Sequence, residues 1–313
     1  CIVMASGLIS RSMTAGWTSW ADAVFWSARL DTNAARNTLS QSRMNWTVNM
    51  NRTFFAAGVL ACIFSGANAH EFWIDPEEHL VPVDGQIIAH LRVGEVYEGS
   101  SFSYIPQRFH RFQYAFGGET LPVSGTVGDR PALTLDAPGD GLVTLIHMTT
   151  DSNLTWDDFA DFEAFVRHKD AEWALAEHEA RGLSSEDVTE VYSRYAKSLV
   201  AVGSGAGTDI ETGLLTEIVA LENPFTDDVS DGVDVRLLFQ RQPRGDEQIE
   251  IFEKAPSGEV EVSLVRTDAD GIATIPVQPG HRYMLDAVVL RDGGTTAQWE
   301  SLWANLTFAV PAN

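Results

Sequence analysis

After Asn223-Pro224, six runs succeed one another with only turns between them: Val233 to Phe239, Gln248 to Glu253, Val260 to Val265, Ile272 to Ile275, His281 to Leu290 and Trp299 to Val310. They are rich in β-branched, leucine and aromatic residues, and turns such as Asp268-Ala269-Asp270-Gly271 and Pro279-Gly280 separate them. That pattern predicts antiparallel strands. Short strands at this spacing fit an immunoglobulin-like or transthyretin-like β-sandwich, placed at residues 226–313.

The stretch from His70 to about Thr150 has the same character. In Gln86 to Val93, Ile87, Ala89, Leu91 and Val93 fall on one face and His90 and Arg92 on the other, until Gly94 stops the run. Phe109 to Phe116, Leu133 to Leu135 and Gly141 to Met148 read as further strands, the last two parted by the turn Pro138-Gly139-Asp140-Gly141. An antiparallel β domain over 70–225 is expected.

Between the two the period changes. Phe159, Phe162, Val166, Trp173 and Ala176 follow a helix face, with Asp157, Asp158, Asp161, Lys169, Asp170 and Glu177 on the wet side. His168 and His178 read as wet-face residues too. Ser184-Ser185-Glu186-Asp187 has the form of a capping box, and Val191, Tyr195 and Leu199 stripe a second helix over Val188 to Val200. The expectation is a mainly β fold in which the N-terminal antiparallel β domain carries an inserted helical hairpin, at about residues 156–200.

The first 69 residues are set apart. Met50-Asn51-Arg52, the uncharged apolar stretch Thr53 to Phe64 and the small-residue site Ala67-Asn68-Ala69 compose a signal peptide over 50–69. The stretch is too short to span a bilayer, so periplasmic export with no membrane span after cleavage is expected. Residues 1–49 begin with Cys1 and show no sustained period; they read as an over-extended gene start.

Cleavage would make His70 the first residue. The free α-amine and imidazole of one histidine can chelate a single ion, since both lose their protons near neutral pH. A second histidine from the sheet, His90 or His147, would complete a three-nitrogen set suited to a divalent transition ion, Cu(II) or Ni(II). Glu71, Asp75 and Glu95 could add oxygen ligands. Both cysteines, Cys1 and Cys62, fall before His70, so thiolate ligands and a disulfide are excluded from the mature chain.

Composition narrows the partners. With the five arginines and two aspartates of 1–69 set aside, residues 70–313 hold 16 Lys and Arg against 42 Asp and Glu, a formal charge of -26. Such a field repels nucleic acid and attracts cations. HExxH, GxSxG, P-loop and GxGxxG patterns are absent from the sequence. Asp268-Ala269-Asp270-Gly271 lacks the glutamate of a calcium loop and reads as a turn.

Several strings together carry a resemblance. His70-Glu71-Phe72-Trp73-Ile74, Tyr192-Ser193-Arg194-Tyr195-Ala196-Lys197, Glu222-Asn223-Pro224-Phe225, Thr267-Asp268-Ala269-Asp270-Gly271 and Trp299-Glu300-Ser301-Leu302-Trp303 resemble a bacterial periplasmic domain-of-unknown-function family akin to the NikM-like nickel/cobalt uptake component. The resemblance implies a non-catalytic protein of β-rich domains that serves transition-metal uptake, with a transporter of the inner or outer membrane as partner. In the membrane-bound subunits of that kind the histidine stands second, whereas here His70 would stand first and Glu71 second.

Nickel, cobalt or copper held by His70 and handed to an uptake system is therefore the functional expectation. Two others stand beside it: a copper histidine-brace oxidase or monooxygenase, and a structural or docking module without metal.

Overall fold

A computed structural model describes residues 70–312. The gene-start reading of 1–49 and the signal peptide of 50–69 lie outside the described residues. Within the described residues eighteen strands and two α-helices follow in order. The strands of the first half are β1 (Glu71–Pro76), β2 (Leu80–Val81), β3 (Gln86–Glu95), β4 (Glu98–Phe102), β5 (Phe109–Phe116), β6 (Glu119–Pro122), β7 (Leu133–Asp136), β8 (Gly141–Thr149) and β9 (Ser152–Trp156). Helices α1 (Phe159–His168) and α2 (Trp173–Ala180) come next, then β10 (Val188–Val202), β11 (Thr216–Ala220), β12 (Val233–Phe239), β13 (Gln242–Pro243) and β14 (Gln248–Lys254). The last four are β15 (Val260–Arg266), β16 (Ile272–Ile275), β17 (Arg282–Asp292) and β18 (Trp299–Ala309).

A ten-stranded sheet is the spine. It runs β15-β14-β17-β18-β10-β8-β5-β6, with β2 and β9 also pairing β10. Strands from both sides of residue 225 meet in it, because β10 and β18 pair in parallel from Glu190 opposite Trp299 to Ser198 opposite Thr307. Two four-stranded sheets complete the mainly β architecture: β1, β3, β4 and β7, and β11, β12, β13 and β16.

Alternation along the spine assigns each small sheet to a face, since successive side chains of a strand point to opposite sides. Leu142 and Leu199 join the core of Ile218, Val233, Val235, Leu237 and Ile275. Their neighbours Val143 and Val200 join the core of Phe72, Ile74, Ile87, Leu91 and Leu133. The spine is thus sandwiched, with the sheet of β11 and β12 on one face and the sheet of β1 and β3 on the other.

The helices share the second face with β1. Phe162, Phe165 and Val166 of α1 pack with Trp156, Val188, Trp299 and Trp303, and Phe165 stacks on Trp303 with ring centroids 5.9 Å apart. Asp158 caps α1 by accepting from the Ala160 amide at 2.9 Å. The helix closes where Asp170 turns left-handed (φ 58) and the Ala171 amide reaches back to the Val166 carbonyl at 2.7 Å.

The sequence reading of the hairpin needs correction. Its second helix is α2, at Trp173–Ala180, and the expected helix of Val188 to Val200 is the strand β10. Val191, Tyr195 and Leu199 lie four apart, a spacing that fits one stripe of a helix and one face of a strand alike. What decides it is the content of β-branched and aromatic residues and a place mid-sheet, where both faces are covered.

Candidate functional site

Where β1 passes α1, the second face of the spine holds polar side chains instead of a dry core. Helix α1 ends at His168, so Lys169 leaves the helix pointing inward and is 8% exposed. Its Nζ donates to Glu71 Oε1 at 3.0 Å, Glu250 Oε2 at 2.7 Å and Asp286 Oδ2 at 3.2 Å, and lies 4.9 Å from the centre of the Trp303 ring. Lys169 and His178, both assigned to the wet face by sequence, are buried instead: His178 is 3% exposed and accepts from Trp299 Nε1 at 3.1 Å.

Three carboxylates around one lysine leave an electrostatic imbalance. Burial disfavours the Lys169 charge, but Asp286, Glu71 and Glu250 outweigh it and hold the pKa above the ordinary lysine value. Burial raises Glu250, yet the hydrogen bonds and charges of His168 and Lys169 take it down to about 2. Asp286 goes the other way, pushed up to about 7 by burial, with Lys169 only partly opposing. Its Oδ1 is buried without a partner, and so are both side-chain polar atoms of Asn305, which stands opposite Asp286 in the β17–β18 register.

A cavity of about 430 Å³ opens beside this group, lined by Glu71, Glu95, Phe165, His168, Lys169 and Glu250, with Val96, Phe252 and Val262 as apolar wall. His70 stands near it, its Nδ1 3.1 Å from Oε1 of the lining residue Glu95, with both side chains about half exposed (47% and 46%). The buried Arg194 of β10 donates to the His70 carbonyl at 2.9 Å and so ties the head of β1 to the spine. His168 Nε2 lies 2.9 Å from Glu250 Oε1, and that bond raises its pKa.

The other expected ligands are elsewhere. His90 contacts Ser101 Oγ at 3.0 Å and Glu77 at 3.3 Å. It stands five residues along β3 from Glu95, roughly 16 Å away, too far to share one ion with His70. His147 is enclosed by Phe72, Phe109 and Phe112, with ring centroids at 4.9, 5.3 and 5.1 Å, and burial lowers its pKa to about 3. Among the described residues the one set of three whose ligand atoms lie within 4.8 Å of one another is Glu71, Glu250 and Asp286. It contains none of the three histidines.

Of this set, sequence reading named Glu71 alone. Asp286 and Glu250 gave a signal of another kind, a charge inside an apolar strand: Tyr283-Met284-Leu285-Asp286-Ala287-Val288 and Ile249-Glu250-Ile251-Phe252. Acidic residues are seldom buried without a paired cation. The same signal marks Glu190, which accepts from Trp156 Nε1 at 2.9 Å and from Ser301 Oγ beneath the helices.

Among the described residues, no helix is long and apolar enough to cross a membrane. The family model of a domain of unknown function, DUF4198, matches residues 67–291. No curated protein matches the chain.

Proposed function

We propose that this chain, which belongs to the DUF4198 family of domains of unknown function, is a non-enzymatic periplasmic protein that binds a divalent transition ion for a metal-uptake transporter. The observation that carries the reading is the approach of His70 Nδ1 to Glu95 Oε1, 3.1 Å apart, beside a cavity that Glu71, Glu95 and Glu250 help to line. Cleavage before His70 would add a free amine to the same residue, giving two nitrogens and a carboxylate oxygen around one point. Nitrogen donors of that kind favour nickel, cobalt or copper over magnesium or calcium.

Two further features support the reading. The resemblance to the NikM-like nickel/cobalt uptake component favours carriage over chemistry. The formal charge of -23 over the sequence raises the local concentration of cations, an effect that salt screens beyond about 8–10 Å.

Calorimetry on protein beginning at His70 tests it. Micromolar or tighter binding of Ni(II), Co(II) or Cu(II) is expected, with at least about a tenfold loss (1.4 kcal/mol) when one residue is added before His70. Equal binding by the two proteins overturns the assignment.

A further inference from the structure

A different set of polar atoms lies on the same face. Glu71, Glu250 and Asp286 place carboxylate oxygens within 4.8 Å of one another, the separation of opposite ligands around an ion coordinated at about 2.4 Å. An acidic cluster alone would say little. Here, however, Asp286 and Asn305, each 2% exposed, face each other across β17 and β18 with polar atoms that meet no partner. Such atoms cost free energy unless something satisfies them.

We propose that Glu71, Glu250, Asp286 and the amide oxygen of Asn305 form a hard-cation site, filled in this structure by the Lys169 ammonium, which a divalent ion of the Ca²⁺ or Mn²⁺ class displaces. The donor set is all oxygen, which selects that class of ion and sets this site apart from the nitrogen donors of His70. Three carboxylates are better neutralised by two positive charges than by one. Asn305 Oδ1 and Asp286 Oδ1, idle around the ammonium, become ligands around an ion. Lys169 has somewhere to go, because it lines the 430 Å³ cavity.

The tethered ammonium sets the affinity. An intramolecular competitor acts at an effective concentration of about millimolar or above, so the wild-type protein should bind Ca²⁺ weakly and a chain without the ammonium tightly. The site stands whether or not His70 binds a metal.

Terbium luminescence provides the test, Tb³⁺ standing in for Ca²⁺ and the Trp303 ring, 4.9 Å from the present ammonium, acting as sensitiser. In a protein carrying one residue before His70, which disables the amine chelate, Lys169→Met should bind Tb³⁺ at least about tenfold tighter than its Lys169 counterpart. Ca²⁺ should compete the signal away, and adding Asp286→Asn should abolish it. A folded Lys169→Met protein without sensitised emission, or emission that survives Asp286→Asn with Glu250→Gln, overturns the proposal. If Lys169→Met does not fold in chelator, refolding with Ca²⁺ decides: recovery of the native circular dichroism supports the site, and failure to recover overturns it.

Discussion

Lys197 and Asp209 form a closed ion pair: Nζ donates to Oδ2 at 2.8 Å, with the side chains 1% and 0% exposed. Nζ also gives hydrogen bonds to the carbonyls of Ile210 and Ile218. Asp209 accepts in addition from Thr144 Oγ1 and from the amides of Ile210 and Ala220. Lys169 sits among its carboxylates with atoms left over; Lys197 does not. Full satisfaction marks the Lys197 group as structural, a pin that holds the loop before β11 against β10.

Asp209→Ala removes the nearer of the two acids on Lys197 Nζ, leaving Glu217 Oε1 at 3.2 Å, and takes the acceptor from Thr144 Oγ1 and from the Ile210 and Ala220 amides. A loss of about 3–5 kcal/mol is expected for breaking one side of such a pair. Urea unfolding near neutral pH measures it, and a loss below 1 kcal/mol would contradict the role given to Asp209.

Glu190 makes stability fall as pH rises. Burial lifts its pKa from 4.5 to about 7 in the folded protein, against the hydrogen bonds of Ser301 and Trp156. The folded state therefore holds this proton more tightly than the unfolded chain. The stability it contributes is complete below the unfolded pKa and is lost as pH climbs through about 7, on the order of 3 kcal/mol. Glu190→Gln should flatten the slope of unfolding free energy between pH 4.5 and about 7, measured by urea titration at each pH.

Phe162 joins the helices to the spine. It is fully buried, with ring centroids 6.0 Å from Trp156, 5.8 Å from His178 and 5.9 Å from Trp299. Phe162→Ala should cost about 3–5 kcal/mol by leaving a cavity among large rings, and it should shift tryptophan emission to the red in thermal and spectral measurements.

Two turn glycines separate strain from crowding. Gly258 (φ 90) has open space where a Cβ would stand, while a Cβ on Gly271 (φ 72) would lie 2.8 Å from the Leu237 carbonyl oxygen and 2.9 Å from the Arg244 nitrogen. Gly258→Ala should lose about 1–2 kcal/mol from the left-handed backbone alone. Gly271→Ala should lose clearly more, and equal melting temperatures for the two variants would contradict the close approach.

The six runs after Asn223-Pro224 were legible because each strand was short, rich in β-formers and ended by a turn residue. Asp268 shows why: its Oδ1 accepts from the amides of Asp270 and Ile272 at 2.9 Å each, making the turn a local property of its own residues. β10 was not legible as a strand, because burial on both faces erases the alternation that marks a half-buried one. The candidate site was legible only in part. His70, Glu71 and Glu95 drew notice through the cleavage site, whereas Lys169, Glu250, Asp286 and Asn305 come from four separate elements, and no spacing within the sequence announces their meeting.

The parallel pairing of β10 with β18 also makes a single strand the join between the two halves of the spine. Among the described strands β18 comes last in the chain yet stands between β10 and β17, so β8 with β10 and β14 with β17 are joined into one sheet only through Trp299 to Ala309.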